Sequence, residues 1–473
     1  MLVGAVLRFA TLDDQSFWLD EAYTVRLLDQ PLGDMLRDLP DQESAPPLYY
    51  LMAWGWGHVF GFGEVGLRSL SALVGTLLIP VAYAAGTRLA GRRAGVVAAA
   101  LVAVHPLLVW FSQEARAYAL VALLAALSLV GFLAVLERPD GRAWAAWAVP
   151  AALALATHYY AGFLVLAEAA WLIWRCPRDR RMALAAGGVA LTALALLPLA
   201  LAQRSTGNTA YIGEGSVSTR LVQVPKQLLT GYASPGQALT TALVAVLVAV
   251  AAARLATVRD RAGRGRVLVV AGLGLAAVLI PVVLVVPGLD YLNTRNVLSA
   301  LPVLLVALAG GLALPGARLA GWPLAATACG LLLAVTLLVT GRDEYGRDDW
   351  RGVDAALGSG PATRALVVSP GSGWIPLGLY DAGLKPMPAQ GAPVSEVAVV
   401  GVARRRSGGG RDPAPVPATP PGLPPGFRAA GVRRSDTYTV ARYAAARPEV
   451  VRPADLAAGA LWPGDAAVLV DTR

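Results

Sequence analysis

The stretch FWLDEAYTVRLL, residues 17–28, sets two adjacent carboxylates, Asp20 and Glu21, among aromatic and aliphatic neighbours. In a partly desolvated cleft one carboxylate can act as general base toward a hydroxyl, while a neighbouring acid orients it or holds a sugar hydroxyl. Adjacent side chains on a helix point about 100° apart, so the two acids would have different roles rather than share a proton. The same pair also suits a plain helix start, with Asp20 as N-cap and Tyr23, Leu27 and Leu28 turned to a membrane surface. Two carboxylates alone underspecify a divalent-cation site. A cation is compatible with the pair but not implied by it, and no metal ligand or cofactor is assigned.

Three further groups carry chemistry: Gln113, Glu114, Arg116 and Tyr118; His158, Tyr159 and Tyr160; and Asp290, Tyr291, Asn293 and Arg295. Arg116 and Arg295 are each expected in the first turn of a helix. A helix N-terminus favours anions by roughly 0.3–1 kcal/mol, so a cation is misplaced there unless it shares an anion with the backbone N–H groups. Arginine at a helix N-terminus is a phosphate-binding arrangement. Glu114 fits equally as a capping acid, an ion-pair partner or a substrate contact, and His158 is a candidate substrate contact. A base and a phosphate site together suggest transfer from a lipid phosphate. Arginines neutralise the leaving phosphate, and no general acid is needed.

Other chemistries lack their signatures. There is no GxxxxGK[ST] loop and no GxGxxG fingerprint, and His58, His105 and His158 lack HExxH spacing. Cys176 and Cys329 support neither a disulfide nor a cysteine-based metal site. His105 precedes Pro106 inside an apolar run and suits a structural role.

The elements that must position these residues are membrane helices. Of 473 residues, 56% are hydrophobic and only 15% charged. Crossing the hydrocarbon layer takes roughly 20 helical residues. Suitable runs are 65–87, 94–111, 117–136, 183–202, 238–256, 267–286, 297–314 and 320–340, with shorter ones at 143–157 and 160–174. With the opening MLVGAVLRFA these give a polytopic all-α protein of about eleven spans. That opening is about half a span without a basic flank or cleavage site, which predicts a truncated first helix or a late start rather than a signal peptide.

The net charge of +9 resides largely in arginine clusters at 88–93, 138–142, 175–181 and 254–266. They lie in short loops between spans, which makes those loops cytoplasmic and argues against a nucleic-acid partner. The candidate residues then gather on the outer side. APPLYYLMAWGWGHVFG, residues 45–61, would reverse this order if it crossed, so it is read as a Trp- and Tyr-rich interfacial helix. Residues 341–473 differ in composition. RDDWRGVDAAL suggests a helix, while RALVVSP, SEVAVVGVA and DTYTVARYAA suggest strands. A Gly/Pro-rich loop near 404–426, expected to be flexible, lies between them. The expected domains are a membrane catalytic domain, 1–340, whose first outer loop is 13–64 with juxtamembrane helices, and a small extracytoplasmic α/β domain, 341–473.

FWLDEAYTV, APPLYYLMAW, GLRSLSALVGTLLIPVAYAAGTRLAGRRAG and HPLLVWFSQEARAYAL closely resemble GT-C glycosyltransferases. The likeness is to the group holding protein O-mannosyltransferases and the aminoarabinose transferases of lipid A. THYYAGFLVLAE and YLNTRNVLSALP resemble later segments of bacterial members, and the likeness runs over about residues 1–340. The resemblance implies a polyprenyl-phosphate sugar donor, an acceptor hydroxyl on lipid, protein or polysaccharide, and an inverting transfer at the outer face of the bacterial plasma membrane. It implies Asp20 as base with Glu21 beside it, and Arg116, Arg295 and Arg26 as phosphate ligands. Glu114, Tyr118, His158, Tyr159 and Tyr291 would contact substrate. The rival classes are a transporter or flippase for lipid-linked saccharides and a polymerase or ligase using a diphosphate-linked glycan. A transporter would place binding groups near the midplane, often in repeated halves. Here the span centres hold few ionisable residues and no internal repeat is evident.

Overall fold

The computed structural model describes residues 1–317, 319–358, 363–405, 410–412, 414–415, 419–420, 422–461 and 465–471. The chain forms two compact units. One comprises Met1–Leu12 with Leu27–Leu338, the other Asp13–Arg26 with Val339–Arg473.

The first unit is helical. Among the described residues six helices are long and apolar enough to cross a membrane: Glu64–Ala90, Tyr118–Glu137, Arg180–Ser205, Gln237–Ala256, Arg261–Leu284 and Gly321–Thr340. The pair Arg92–Val104 and Pro106–Ser112, bent by 59°, is a broken span or a re-entrant loop, and counts as a seventh only if the two helices form one span. Proline has no N–H to donate and pushes the preceding residue out of helical geometry, and His105 is accordingly extended at φ −67°, ψ 122°. Its ring nitrogen Nε2 meets the Leu228 carbonyl at 3.1 Å.

The expected count of eleven is not confirmed, because several expected spans are short helices among the described residues. Leu2–Phe9 has 8 residues, Gly162–Arg175 and Ala300–Ala313 have 14 each, and Gly141–Thr157 has 17. At about 1.5 Å per residue the helices of 8 and 14 residues fall well short of a ~30 Å layer, while Gly141–Thr157 lies at the lower limit of spanning length. Leu48–Phe60, expected as interfacial, is likewise short at 13 residues.

Close packing builds the centre of this unit. The apolar windows of Glu64–Ala90 and Tyr118–Glu137 are 67% and 78% buried, against 6% for Arg180–Ser205. The last helix therefore turns its leucines outward, as a helix facing lipid does. At Gly131 a Cβ would stand 2.2 Å from the Ala146 backbone carbonyl, so Tyr118–Glu137 and Gly141–Thr157 touch backbone to backbone there.

The second unit is a six-stranded mixed sheet. Its order is Leu384–Pro386, Ala467–Asp471, Arg364–Ser369, Ala392–Val402, Tyr438–Val451, Arg428–Arg434. Arg364–Ser369 and Ala392–Val402 run parallel, with Val367 opposite Val399, and the remaining pairs are antiparallel. Strand side chains alternate between faces. Val397 and Val399 enter one apolar cluster, and Ala398, Val400 and Val402 enter another that includes Trp350, Val353 and Leu357. A strand buried on both faces reads as an unbroken apolar run, and VAVVGV is such a run. The segments expected as strands and helix are Arg364–Ser369, Ala392–Val402, Tyr438–Val451 and Trp350–Leu357. Of the loop near 404–426, Arg404–Arg405 pairs with Arg411–Asp412, while 406–409, 413, 416–418 and 421 lie outside the described residues.

Candidate functional site

In the helical unit the chain turns after Ser112, and residues 113–117 cross to the helix that starts at Tyr118. Gln113 fixes this turn. Its Nε2 donates to the Leu7 carbonyl at 3.0 Å and to Thr11 Oγ1 at 2.6 Å. Arg116 therefore precedes the helix rather than sitting in its first turn. Arg295 likewise lies in a 3-10 turn, Thr294–Val297, ahead of Ala300–Ala313. Neither arginine follows the expected first-turn placement. Asn293 organises the second turn by accepting from the Arg295 N–H at 3.2 Å, and Asn296 Nδ2 donates to the Tyr291 carbonyl at 2.9 Å.

The two turns meet. Arg295 Nη1 donates to the Tyr118 hydroxyl at 3.4 Å, and the Tyr118 ring lies 5.7 Å from that of His158. His158 in turn is 5.4 Å from Tyr160, and Tyr160 is 5.2 Å from Tyr291. His158 is buried at the end of Gly141–Thr157, and its pKa is lowered to about 3. Burial is the main cause, followed by the charges of Arg116 and Arg295. This imidazole is neutral at ordinary pH. Glu114 is buried in the same turn as Arg116.

Arg116 Nη1 donates to Glu43 Oε1 at 2.6 Å, with both side chains largely enclosed. Tyr50 also hydrogen-bonds Glu43, and its hydroxyl pKa is pushed well up, chiefly by burial. The Tyr159 hydroxyl donates to Gln203 Oε1 at 2.8 Å, and burial raises its pKa to about 12. Gln203 itself donates to the Ala45 carbonyl at 3.1 Å. Asp290 forms a two-pronged pair with Arg220, both bonds 2.5 Å, which holds the carboxyl below its usual pKa. Sequence reasoning passed over Glu43, Arg220 and Gln203. Glu43 is one acid in a polar loop, and its arginine lies 73 positions on. The signal in the sequence is that Glu43 lies two residues before the APPLYY block.

Asp20, Glu21 and Arg26 belong to the other unit. Both acids stand in the first turn of Leu19–Leu28. Glu21 is buried, and its Oε2 accepts from the Trp18 N–H at 3.5 Å, a reach back of three residues of the kind that closes a helix start. Arg26 is exposed and lies over the Trp374 ring, 5.1 Å from its centroid. Among the described residues no three or more His, Cys, Asp or Glu side chains are grouped to hold a metal ion.

Residues 44–201 match the family model described as dolichyl-phosphate-mannose-protein mannosyltransferase. Among solved structures, ArnT from Cupriavidus metallidurans bound to undecaprenyl phosphate is 17% identical, with a TM-score of 0.47, over 70% of this chain and 62% of that one. Apo ArnT from the same organism is 16% identical at TM-score 0.46, over 66% and 58%. The archaeal oligosaccharyltransferase AglB from Archaeoglobus fulgidus, with an inhibitory peptide and a dolichol-phosphate, is 14% identical at 0.45, over 74% and 56%. This chain thus spans less than two thirds of the length of each of these chains. No curated protein matches the sequence. The blocks around Arg116 and His158 fall inside the matched segment, and over it this chain resembles the dolichyl-phosphate-mannose-protein mannosyltransferases, a GT-C glycosyltransferase group.

Proposed function

We propose that this chain is a glycosyltransferase of the bacterial plasma membrane that moves a sugar, mannose or another hexose or pentose, from a polyprenyl phosphate to a hydroxyl acceptor. The reaction takes place at the outer face and inverts the anomeric carbon. Asp20 removes the acceptor hydroxyl proton, and the oxygen attacks the anomeric carbon. The bond from that carbon to the phosphate oxygen breaks, and the phosphate leaves with the bonding electrons. Arg116 and Arg295 take up its charge. Each good donor at such a developing anion is worth about 2.7–4 kcal/mol of barrier. Tyr118, His158 and Tyr291 bind the sugar, with His158 as a neutral hydrogen-bonding ring. An eleven-span topology with the C-terminal unit outside accompanies this reading.

The observation that carries it is the pair of arginines beside one buried, neutral histidine. Arg116 and His158 lie within the segment matching a family named for a dolichyl-phosphate sugar. With His158 neutral, the fixed positive charge offered to a phosphate is that of Arg116 and Arg295. The test is incubation of the purified protein in lipid nanodiscs with a panel of polyprenyl-phosphate sugars and native membranes, followed by mass spectrometry. The expected result is an acceptor that gains one hexose or pentose, with transfer abolished in a folded Asp20→Asn protein. A fully active Asp20→Asn protein refutes the mechanism. Counterflow of the lipid-linked sugar across vesicles with no covalent product identifies a transporter instead.

A further inference from the structure

Residues 13–18 form no helix or strand, yet they run directly into the helix turn that carries Asp20 and Glu21. Holding such a segment costs about 1–2 kcal/mol of backbone entropy per residue, so its position must come from contacts. Those contacts come from the C-terminal residues of the same unit. Arg351 donates to the Asp13 carbonyl at 2.5 Å and to its carboxylate at 3.2 Å. Gln15 Oε1 accepts the Arg347 N–H at 2.9 Å. Ser16 Oγ donates to the Asp348 carbonyl at 2.9 Å and accepts the Trp350 N–H at 2.8 Å. The Phe17 N–H donates to the Tyr380 hydroxyl at 2.8 Å. Beyond the acids, Arg26 lies over Trp374.

The Ser16 contact is the most telling. Trp350 opens the helix Trp350–Leu357, whose first N–H groups lack partners within the helix. Asp349 caps the Gly352 N–H at 2.8 Å, and Ser16, 334 positions away, caps the Trp350 N–H. The helix start of the C-terminal unit is therefore completed by the acidic loop, and the loop is fixed by that helix start. Anchors at 13, 15, 16 and 17 on one side and at 26 on the other bracket Asp20.

We infer that the C-terminal α/β unit is the frame that sets the position of Asp20, with Ser16 and Tyr380 as positioning residues. This rests on the reading of Asp20 as the base. Tyr380→Phe removes only the hydroxyl that receives the Phe17 N–H, and Ser16→Ala removes the shared hydroxyl. Neither touches the acid itself. A base displaced by about 1 Å loses on the order of 100-fold in rate.

The full chain in nanodiscs, assayed with polyprenyl-phosphate mannose and native membranes, gives the test. The expected result for each variant is a kcat lowered at least about tenfold with the donor KM within twofold. Amide exchange across 13–26 should be faster, with both variants still folded at the assay temperature. If both variants keep wild-type kcat and exchange while Asp20→Asn is inactive, the positioning role is refuted and the base assignment stands. A fall in kcat that only tracks a fall in folded protein also refutes it, because the contacts are then structural alone. If Asp20→Asn transfers normally, the base assignment fails and the positioning role fails with it.

Discussion

His158 offers a prediction whose size follows from its surroundings. Burial, then Arg116 and Arg295, lower its pKa from 6.5 to about 3. Below pH 6.5 the unfolded chain binds a proton that the folded protein refuses, so stability falls as the medium is acidified, by up to about 1.4 kcal/mol per pH unit. The loss ends near the folded value, where both states are protonated. Between pH 8 and pH 5 the contribution is about 2 kcal/mol. Other groups also titrate as the medium is acidified, so the wild type alone does not isolate the term. His158→Gln keeps a neutral polar side chain and removes the titration. Equilibrium unfolding in mixed micelles at both pH values should show the wild type losing about 2 kcal/mol more than the variant. Equal losses would mean that His158 titrates normally, and the burial that chiefly lowers its pKa would lose its support.

Three further changes probe the packing of the same unit. Glu43→Gln removes the carboxylate paired with Arg116 at 2.6 Å. Breaking enclosed pairs costs about 3–5 kcal/mol, and the lower end is expected because Arg116 keeps 13% of its side chain exposed; an unfolding change under about 1 kcal/mol, the range of exposed pairs, would contradict this. Arg220→Gln should loosen the turn that carries Arg295, since Arg220 grips both Asp290 and the Leu292 carbonyl. Faster amide exchange in 289–297 is the expected readout, and unchanged exchange would count against the role. Gly131→Val forces side-chain atoms into the Ala146 backbone. Overpacking of this kind costs about 1–3 kcal/mol, read as a lower thermal midpoint, and an unchanged midpoint would show that the two helices separate freely.

Much of the helical unit is legible in the sequence because lipid imposes a one-dimensional rule, about 20 apolar residues per crossing. Expected 117–136 and 238–256 are found as Tyr118–Glu137 and Gln237–Ala256. The rule fails where helices are short. Expected 297–314 starts instead with a 3-10 turn at Thr294–Val297, and an apolar run alone does not tell such a turn from the helix after it. In the sheet, VAVVGV was legible because a doubly covered strand leaves no polar alternation to misread.

The partners of the polar residues were not legible, for a physical reason. A buried charge must be matched, but chain order says nothing of what matches it. Arg8, in the opening apolar segment, is fully buried, with its guanidinium on the Gly4, Val102 and Ala103 carbonyls and on Ser112 Oγ. Hydropathy registers it only as an interruption in half a span. Arg116 stands out in the sequence for its expected place at a helix start, whereas its pairing with Glu43 marks its environment. The acidic stretch behaves in the same way. Its composition suggests a base, but Ser16 and Phe17 connect it to 348–350 and 380, more than 330 positions along the chain. Residue type suggests what chemistry the stretch is suited to, and only these long-range hydrogen bonds account for how it is held.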